Sequence, residues 1–315
     1  MTAPTVSVVV ATRNRAERLR ALLASLRAQT FTDFEVVVCD DASTDATPEV
    51  LAGADGLALV VVRNTVAGGP AKARNAGWRA ARGALIAFTD DDCEATPGWL
   101  EAGVRAWAAD PATFLQGPVG PIEAESDRLG PFSYTILIDG PTPVYECANI
   151  FYPRALLERL GGFDESYPRP AGEDCDLGWR AREAGARPVF AADARVAHAV
   201  VELGPRGYLR RLWQWQYAMQ PYRRHPGLRA HLVDGVFWNL SHYLLFRALL
   251  GVVLARRRWA WPLSWWLAKW FLAYERAESV KHAGTPWLAP WWAVRDAVEV
   301  AACVRGSVRY RTLVL

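Results

Sequence analysis

The sequence predicts an α/β fold: a mostly parallel, doubly wound, Rossmann-like sheet with helices on both faces, followed by a helical extension rich in Trp and Arg. Three observations predict it. Short β-branched runs alternate with amphipathic helical segments over roughly the first 200 residues, the pattern of parallel strands joined by crossover helices. Acidic and polar residues gather directly after those runs, where open parallel sheets bind their ligands. Beyond residue 205 the alternation stops, and 11 of the 15 tryptophans lie there with 17 Lys+Arg against five Asp+Glu.

Val6 to Val10 reads as the first strand, and Leu19, Leu22, Leu23 and Leu26 then recur at helical spacing on one face. Phe34 to Cys39 is the second strand, followed by the polar turn Asp40-Asp41-Ala42-Ser43-Thr44-Asp45. Thr47-Pro48-Glu49 has the form of a helix N-cap with Pro at the first helical position. Leu57 to Val62 is a third strand, and Pro70 to Arg82 a third helix with Gly83 as its stop. Leu85 to Thr89 is a fourth strand, ending in Asp90, Asp91 and Asp92. The interval from about 110 to 145 is rich in Pro and Gly and carries no clear period. After it come helices over Arg154 to Leu160 and Glu173 to Ala184, then strands over Pro188 to Ala192 and Ala194 to Ala197.

With 51% apolar and 22% charged residues in 315, the chain is a folded protein, not a disordered, collagen-like or coiled-coil one. Its five cysteines are scattered and form no C-x-x-C, so neither a disulfide framework nor a zinc ribbon is expected, and a reducing cytoplasm is. Met1-Thr2-Ala3-Pro4 passes straight into the first strand with no signal-peptide pattern. The net charge of +3 conceals an asymmetry: 19 Lys+Arg against 28 Asp+Glu over 1–205, and the reverse excess over 206–315.

Three adjacent carboxylates at a strand end repel one another unless a cation neutralises them. A divalent cation shared with substrate phosphates is one explanation of Asp90, Asp91 and Asp92; a solvated acidic turn is the other. Gly68-Gly69-Pro70-Ala71-Lys72-Ala73-Arg74-Asn75 is a glycine loop feeding a helix start with two cations, suited to holding an anion. An ordinary glycine turn before a surface helix has the same look. Glu173-Asp174-Cys175-Asp176 is a third acidic group, either a general base and its neighbours or the usual acidic preference of a helix N-terminus.

Taken together, Val6–Arg15, Gln29-Thr30-Phe31, Asp40–Asp45, Ala73-Arg74-Asn75-Ala76-Gly77, Phe88-Thr89-Asp90-Asp91-Asp92, Gly161–Glu165 and Glu173–Leu177 resemble family 2 glycosyltransferases of the GT-A fold. The resemblance covers about residues 5 to 200. It implies a catalytic domain over 1–205, with nucleotide-sugar binding in about 1–110 and an acceptor half in about 111–205. Ala11, Thr12, Arg13, Asn14 and Asp41 would cradle the base and ribose of a nucleoside-diphosphate sugar. Arg13 stands where an aromatic residue is common, and its guanidinium can stack on a base. Lys72, Arg74 and Asn75 would lie beside the nucleotide-sugar, with Asp90 and Asp91 also in contact. Asp90 and Asp92 match the ends of the family's D-x-D motif, with Asp92 the direct ligand of Mn²⁺ or Mg²⁺. His198 stands where some relatives carry another metal ligand, a structural histidine being the alternative. Asp174 matches the catalytic base, with Glu173 beside it, and the reaction would invert the anomeric centre.

The 206–315 region offers apolar windows at Gly235 to Phe246, Trp259 to Ala268 and His282 to Val294, each short of the ~20 residues a membrane span needs. A span over Val236 to Ala255 would place Arg247 near the bilayer centre. The expectation is instead peripheral contact at the inner face of the cell membrane, with tryptophans at headgroup depth and arginines on anionic lipid. The alternative is a lid or homodimer surface. Arg210-Arg211-Leu212-Trp213-Gln214-Trp215-Gln216 has the residue types of the Q-x-x-R-W motif of processive synthases in another order, so transfer of a single sugar is expected, and the basic, Trp-rich tail alone suggests a lipid-linked or cell-envelope glycan as acceptor. A soluble transferase acting on a small molecule, and a non-catalytic membrane-binding module, are the rival readings. Nucleic acid is not an expected partner, since the aromatics form no RNA-binding signature.

Overall fold

The computed structural model describes residues 3–167, 169–253, 268 and 289–315. The backbone divides into two compact units, Met1–Ser126 with Thr135–Val200, and Asp127–Tyr134 with Val201–Leu315.

The first unit is built on a seven-stranded sheet. Strands β1 (Val6–Thr12), β2 (Phe34–Asp41), β3 (Leu59–Asn64) and β4 (Leu85–Phe88) alternate with helices α1 (Ala16–Arg27), α2 (Thr47–Ala52) and α3 (Pro70–Ala80). Two short strands follow, β5 (Cys93–Ala95) and, after α4 (Trp99–Ala109), β6 (Thr113–Gln116); then come β7 (Val119–Pro121) and, past β8 (Ser133–Tyr134) of the second unit, β9 (Ile150–Pro153). Helices α5 (Arg154–Leu160) and α6 (Glu173–Glu183) precede β10 (Arg187–Phe190) and β11 (Val196–His198). The sheet order is β10-β6-β9-β4-β1-β2-β3, and a small sheet β5-β11-β7 adjoins these elements in the same unit. β9 runs antiparallel to both neighbours, whereas the other pairs of the large sheet are parallel.

The Val-rich runs of β1 and β2 are buried along nearly their whole length, as strands covered on both faces must be. The four leucines of α1 lie in the same core as Val8, Val10, Val36 and Val38, each burial contributing on the order of 1.5–3 kcal/mol. Helix α3 approaches β1 closely because Gly77 has no side chain: a Cβ there would stand 2.6 Å from Val9.

Several expectations are revised. β2 continues through Asp40 and Asp41, so these carboxylates sit on the strand end itself and not in the turn. Thr47 is already helical and donates its hydroxyl to Asp45 at 2.6 Å instead of capping α2. α3 ends at Ala80, and Gly83 serves close packing: a Cβ there would meet the Ser7 amide at 2.5 Å. The aperiodic 110–145 interval contains β6, β7, a 3₁₀ turn over Glu123–Arg128 and β8.

The second unit pairs β8 with β12 (Val201–Glu202) and then turns helical: α7 (Gly204–Leu212), a 3₁₀ segment Trp213–Met219, α8 (Gln220–Arg224), a 3₁₀ segment Pro226–His231, α9 (Leu240–Val253) and a helix over Ala289–Tyr310. Arginines lie over aromatic rings here: Arg211 over Tyr134, Arg305 over Trp213 and Arg309 over Tyr217. The Ala289–Tyr310 helix packs against Trp213–Met219 at Gly306, where a Cβ would meet the Gln216 carbonyl at 2.3 Å. Within Val236 to Ala255 the described residues, which run to 253, place a helix over the 14 residues of α9. Among the described residues no helix is long and apolar enough to cross a membrane. The window Trp259 to Ala268, Ala268 excepted, and the first part of His282 to Val294 lie outside the described residues.

Candidate active site

The carboxyl ends of β1, β2 and β4 bring the three acidic and polar groups of the sequence into one neighbourhood, and a guanidinium joins two of them. Arg74, in the second turn of α3, is buried and forks between them. Its Nη2 donates to Asp90 Oδ1 at 2.8 Å, and its Nη1 donates to Glu173 Oε1 at 3.1 Å and Asp174 Oδ1 at 3.3 Å. A planar fork suits this double duty in a way an ammonium does not. Arg74 was expected beside the donor; its guanidinium is engaged with three carboxylates.

On one side of Arg74 lie Asp90, Asp92 and His198, whose ligating atoms are all within 4.8 Å of one another. Strand pairing explains the meeting. β11 runs antiparallel to β5 with His198 opposite Cys93, and the Ala199 amide donates to the Asp92 carbonyl at 2.9 Å. The His198 ring is oriented by its Nδ1, 2.7 Å from the Ala199 carbonyl. That contact requires Nδ1 to carry the proton, so in the neutral ring the Nε2 lone pair faces Asp92 Oδ1, 3.4 Å away. Two acceptors aimed at each other beside a second carboxylate form a donor set that fits a divalent cation of the Mn²⁺ or Mg²⁺ kind.

Asp91, between Asp90 and Asp92 in the chain, points elsewhere. It is buried, accepts the Thr12 hydroxyl at 2.8 Å and pairs with Arg15 at 3.3 Å. Burial pushes its carboxyl up to about 7, with Arg15 opposing and Asp92 and Asp90 adding to the rise. Arg15 also contacts Asp92 Oδ2. No role was assigned to Arg15 from the sequence, although its place just after β1, at the ligand-binding edge, was the available signal.

On the other side of Arg74 lie Glu173 and Asp174, in the first turn of α6, which enters from Gly172 in a left-handed conformation. Asp174 Oδ2 accepts the Cys147 amide at 2.9 Å, a partner the sequence did not single out, and its side chain keeps 19% exposure. Burial raises the Asp174 carboxyl against the pull of Arg74. Glu173 is buried more completely, and burial together with Asp174 pushes it up to about 8. The pair is thus divided into one carboxyl that holds a proton near neutrality and one that reaches solvent.

The remaining expected residues fall into two groups. Asn75, expected beside the donor, is wholly buried and holds the Gly161–Glu165 loop. It donates to the Phe163 carbonyl and Glu165 and accepts from the Phe163 amide and Trp78 Nε1, all within 2.8–2.9 Å, so its hydrogen-bonding capacity is committed to the fold. Asp41 likewise anchors the glycine loop, accepting the amides of Gly68 at 2.9 Å and Gly69 at 2.8 Å and the Asn64 side chain at 2.7 Å. Asn14, with φ +54°, locks the β1 and β2 ends together: its amide donates to Ser43 and its side chain accepts from the Thr44 amide. Ala11 is half-buried at the end of β1, while Arg13 and Lys72 are exposed.

Comparison with known proteins is in keeping with this arrangement. Residues 7–160 match the model of glycosyl transferase family 2, and residues 85–275 that of glycosyl transferase family group 2. The pre-mycofactocin glycosyltransferase of Mycobacterium tuberculosis is 34% identical over 209 residues, 61% of this chain and 42% of that protein. An Escherichia coli enzyme, UDP-Glc:alpha-D-GlcNAc-diphosphoundecaprenol beta-1,3-glucosyltransferase WfaP, is 33% identical over 55% of this chain and 68% of its own length. Among solved structures, the mannosyltransferase PcManGT from Pyrobaculum calidifontis, in complex with GDP-Man and Mn²⁺, superposes with a TM-score of 0.64 at 25% identity, covering 97% of this chain and 87% of that one. The match thus spans under half of the mycobacterial relative but most of PcManGT. An α/β sheet carrying acidic clusters at its strand ends, together with these matches, establishes that the chain belongs to glycosyl transferase family 2.

Proposed function

We propose that the protein is a divalent-metal-dependent glycosyltransferase that moves one sugar from a nucleoside-diphosphate sugar to an acceptor hydroxyl with inversion. The observation that carries this reading is the division of carboxylates about Arg74, with Asp90, Asp92 and His198 on one side and Asp174 on the other. Asp90, Asp92 and His198 would hold Mn²⁺ or Mg²⁺, which when bound offsets charge on the departing nucleoside diphosphate.

Asp174 is the general base. Its Oδ1 is fixed by Arg74 and its Oδ2 by the Cys147 amide, so the carboxylate is held in one orientation with an edge open to solvent. An incoming acceptor hydroxyl gives its proton to that edge as its oxygen attacks the anomeric carbon from the face opposite the diphosphate. Burial makes Asp174 a stronger base than a free aspartate, which favours proton transfer in step with attack. Glu173, holding a proton, limits the negative charge around Arg74. Asp41 and Asn14 shape the donor pocket by fixing the loops around it, and Arg13, Thr12, Ala11 and Lys72 are the candidates for donor contact. The catalytic role is assigned to 1–205 and the acceptor half to about 111–205.

For the acceptor we propose a lipid-linked or cell-envelope glycan reached at the inner face of the membrane, with 206–315 as the peripheral contact. The charge excess of that region and the outward apolar residues of α9 support it: Phe246, Leu249 and Leu250 lie on one helix face beside Arg247. The relative WfaP, named for a diphosphoundecaprenol acceptor, points the same way.

The test is thermal stabilisation by UDP, GDP, dTDP and CDP, each with and without Mn²⁺, since a ligand of the native state raises its stability by mass action. One nucleotide is expected to raise the Tm only with metal, and Asp92→Ala to abolish the shift. No shift with any nucleotide would overturn the catalytic reading. In the same preparation, flotation with anionic but not neutral vesicles is expected; a chain that ignores both would exclude the membrane-bound acceptor.

A further inference from the structure

We propose that Arg15 is a tethered counter-cation: it holds Asp92 while no divalent metal is bound, gives that carboxylate up when the metal arrives, and then engages the diphosphate. The inference rests on the reading of Asp90, Asp92 and His198 as the metal ligands.

Three observations carry it. First, Arg15 Nη1 contacts Asp92 Oδ2 and lies 3.3 Å from Asp91 Oδ1. Asp92 is 7% exposed and its other oxygen faces His198, so the guanidinium on Oδ2 and a metal on Oδ1 would repel each other across one nearly buried carboxylate, and each would weaken the other's hold. Leaving such a carboxylate without any cation is costly. Second, the Arg15 side chain is 46% exposed, against 9% for Arg74. It reaches the acidic cluster from the solvent side, and it can withdraw without opening the core. A purely structural arginine of this site has the environment of Arg74.

Third, Arg15 occupies the N-cap of α1 and makes no capping hydrogen bond. That position favours Ser, Thr, Asp or Asn, and the positive end of the helix dipole disfavours a cation there. Local helix stability therefore does not account for Arg15; its contacts with Asp91 and Asp92 do. Once released, a guanidinium is suited to a diphosphate, whose oxygens it binds in pairs.

The test titrates Mn²⁺ into the full chain without nucleotide, following free Mn²⁺ by electron paramagnetic resonance. Arg15→Gln is expected to bind Mn²⁺ about fivefold tighter than wild type, because a competing positive charge has been removed. With Mn²⁺ saturating, calorimetry with inorganic pyrophosphate is expected to show the opposite: Arg15→Gln binds about fivefold more weakly. Arg15→Lys, which keeps the charge without the fork, should fall between the two and serves if Arg15→Gln does not fold. A folded Arg15→Gln whose Mn²⁺ affinity is unchanged or lower would make Arg15 a brace and overturn the proposal. Asp92→Ala separates the two layers: if it leaves Mn²⁺ binding intact, the ligand reading fails and this inference with it.

Discussion

The two acidic groups on either side of Arg74 are made of the same side chains and are built for different work. Asp90 and Asp92 lie with the His198 imidazole within 4.8 Å of one another and are contacted by the guanidiniums of Arg74 and Arg15, whereas Glu173 and Asp174 are packed at a helix start around Arg74 and one backbone amide. The first arrangement gathers two carboxylates and an imidazole nitrogen about one point, which is what the proposed cation site requires. The second raises both carboxyls by burial, which suits the proton transfer proposed for Asp174. Environment, not residue type, separates the roles.

The strongest way to break this contrast is Asp174→Asn, which keeps the shape and one of the two accepting positions while removing the base. Turnover is expected to fall about 10²- to 10⁴-fold with Mn²⁺ affinity unchanged; simultaneous loss of metal binding would show that the two ends are one unit. The reciprocal change, Asp92→Ala, is expected to weaken Mn²⁺ binding by at least about tenfold and to leave the pH profile of residual turnover where it was, since that profile reports Asp174.

A smaller effect comes from Glu173. Its folded carboxyl is pushed up to about 8, above the ~4.3 of an unfolded chain, so the folded state binds the extra proton. Its contribution is fully present below about pH 4 and is lost as pH rises toward 8. Glu173→Gln cannot ionise, and its Tm is expected to decline less than that of wild type between pH 5 and 8, a difference of a few degrees. A parallel decline would show that Glu173 is charged throughout, and the contrast between the two ends would then rest on Asp174 alone.

Much of this was legible in the chain. Alternating β-branched and amphipathic segments specify the parallel sheet, and a strand that must be buried on both faces leaves its polar residues only at its ends, which is why Asp40, Asp41 and Asp90 to Asp92 stood out. The link between the acidic groups was not. Arg74 lies 16 residues from Asp90 and about 100 from Glu173 and Asp174, so its role exists only once α3 and α6 are brought together. The structural part of Asn75 was hidden for a related reason: its loop partner, Gly161 to Glu165, arrives from 88 residues away, so its hold on that loop cannot be seen until the partners are. β9 was invisible because four residues between turn-rich stretches carry no usable period.

That strand has a consequence for how the protein is made. β1 to β4 come from the first 88 residues and are contiguous in the sheet as β3-β2-β1-β4, but the outer edge of β4 is covered only by β9, which ends at Pro153. A ribosome adding ~5–20 residues per second takes roughly 3 to 13 s to cross that interval. For those seconds a nascent sheet carries an apolar, unpaired edge at what will become its centre, open to pairing with another chain. The stretch between Phe88 and Ile150 is therefore where pausing, faster elongation or lack of chaperone should most alter the yield of soluble protein.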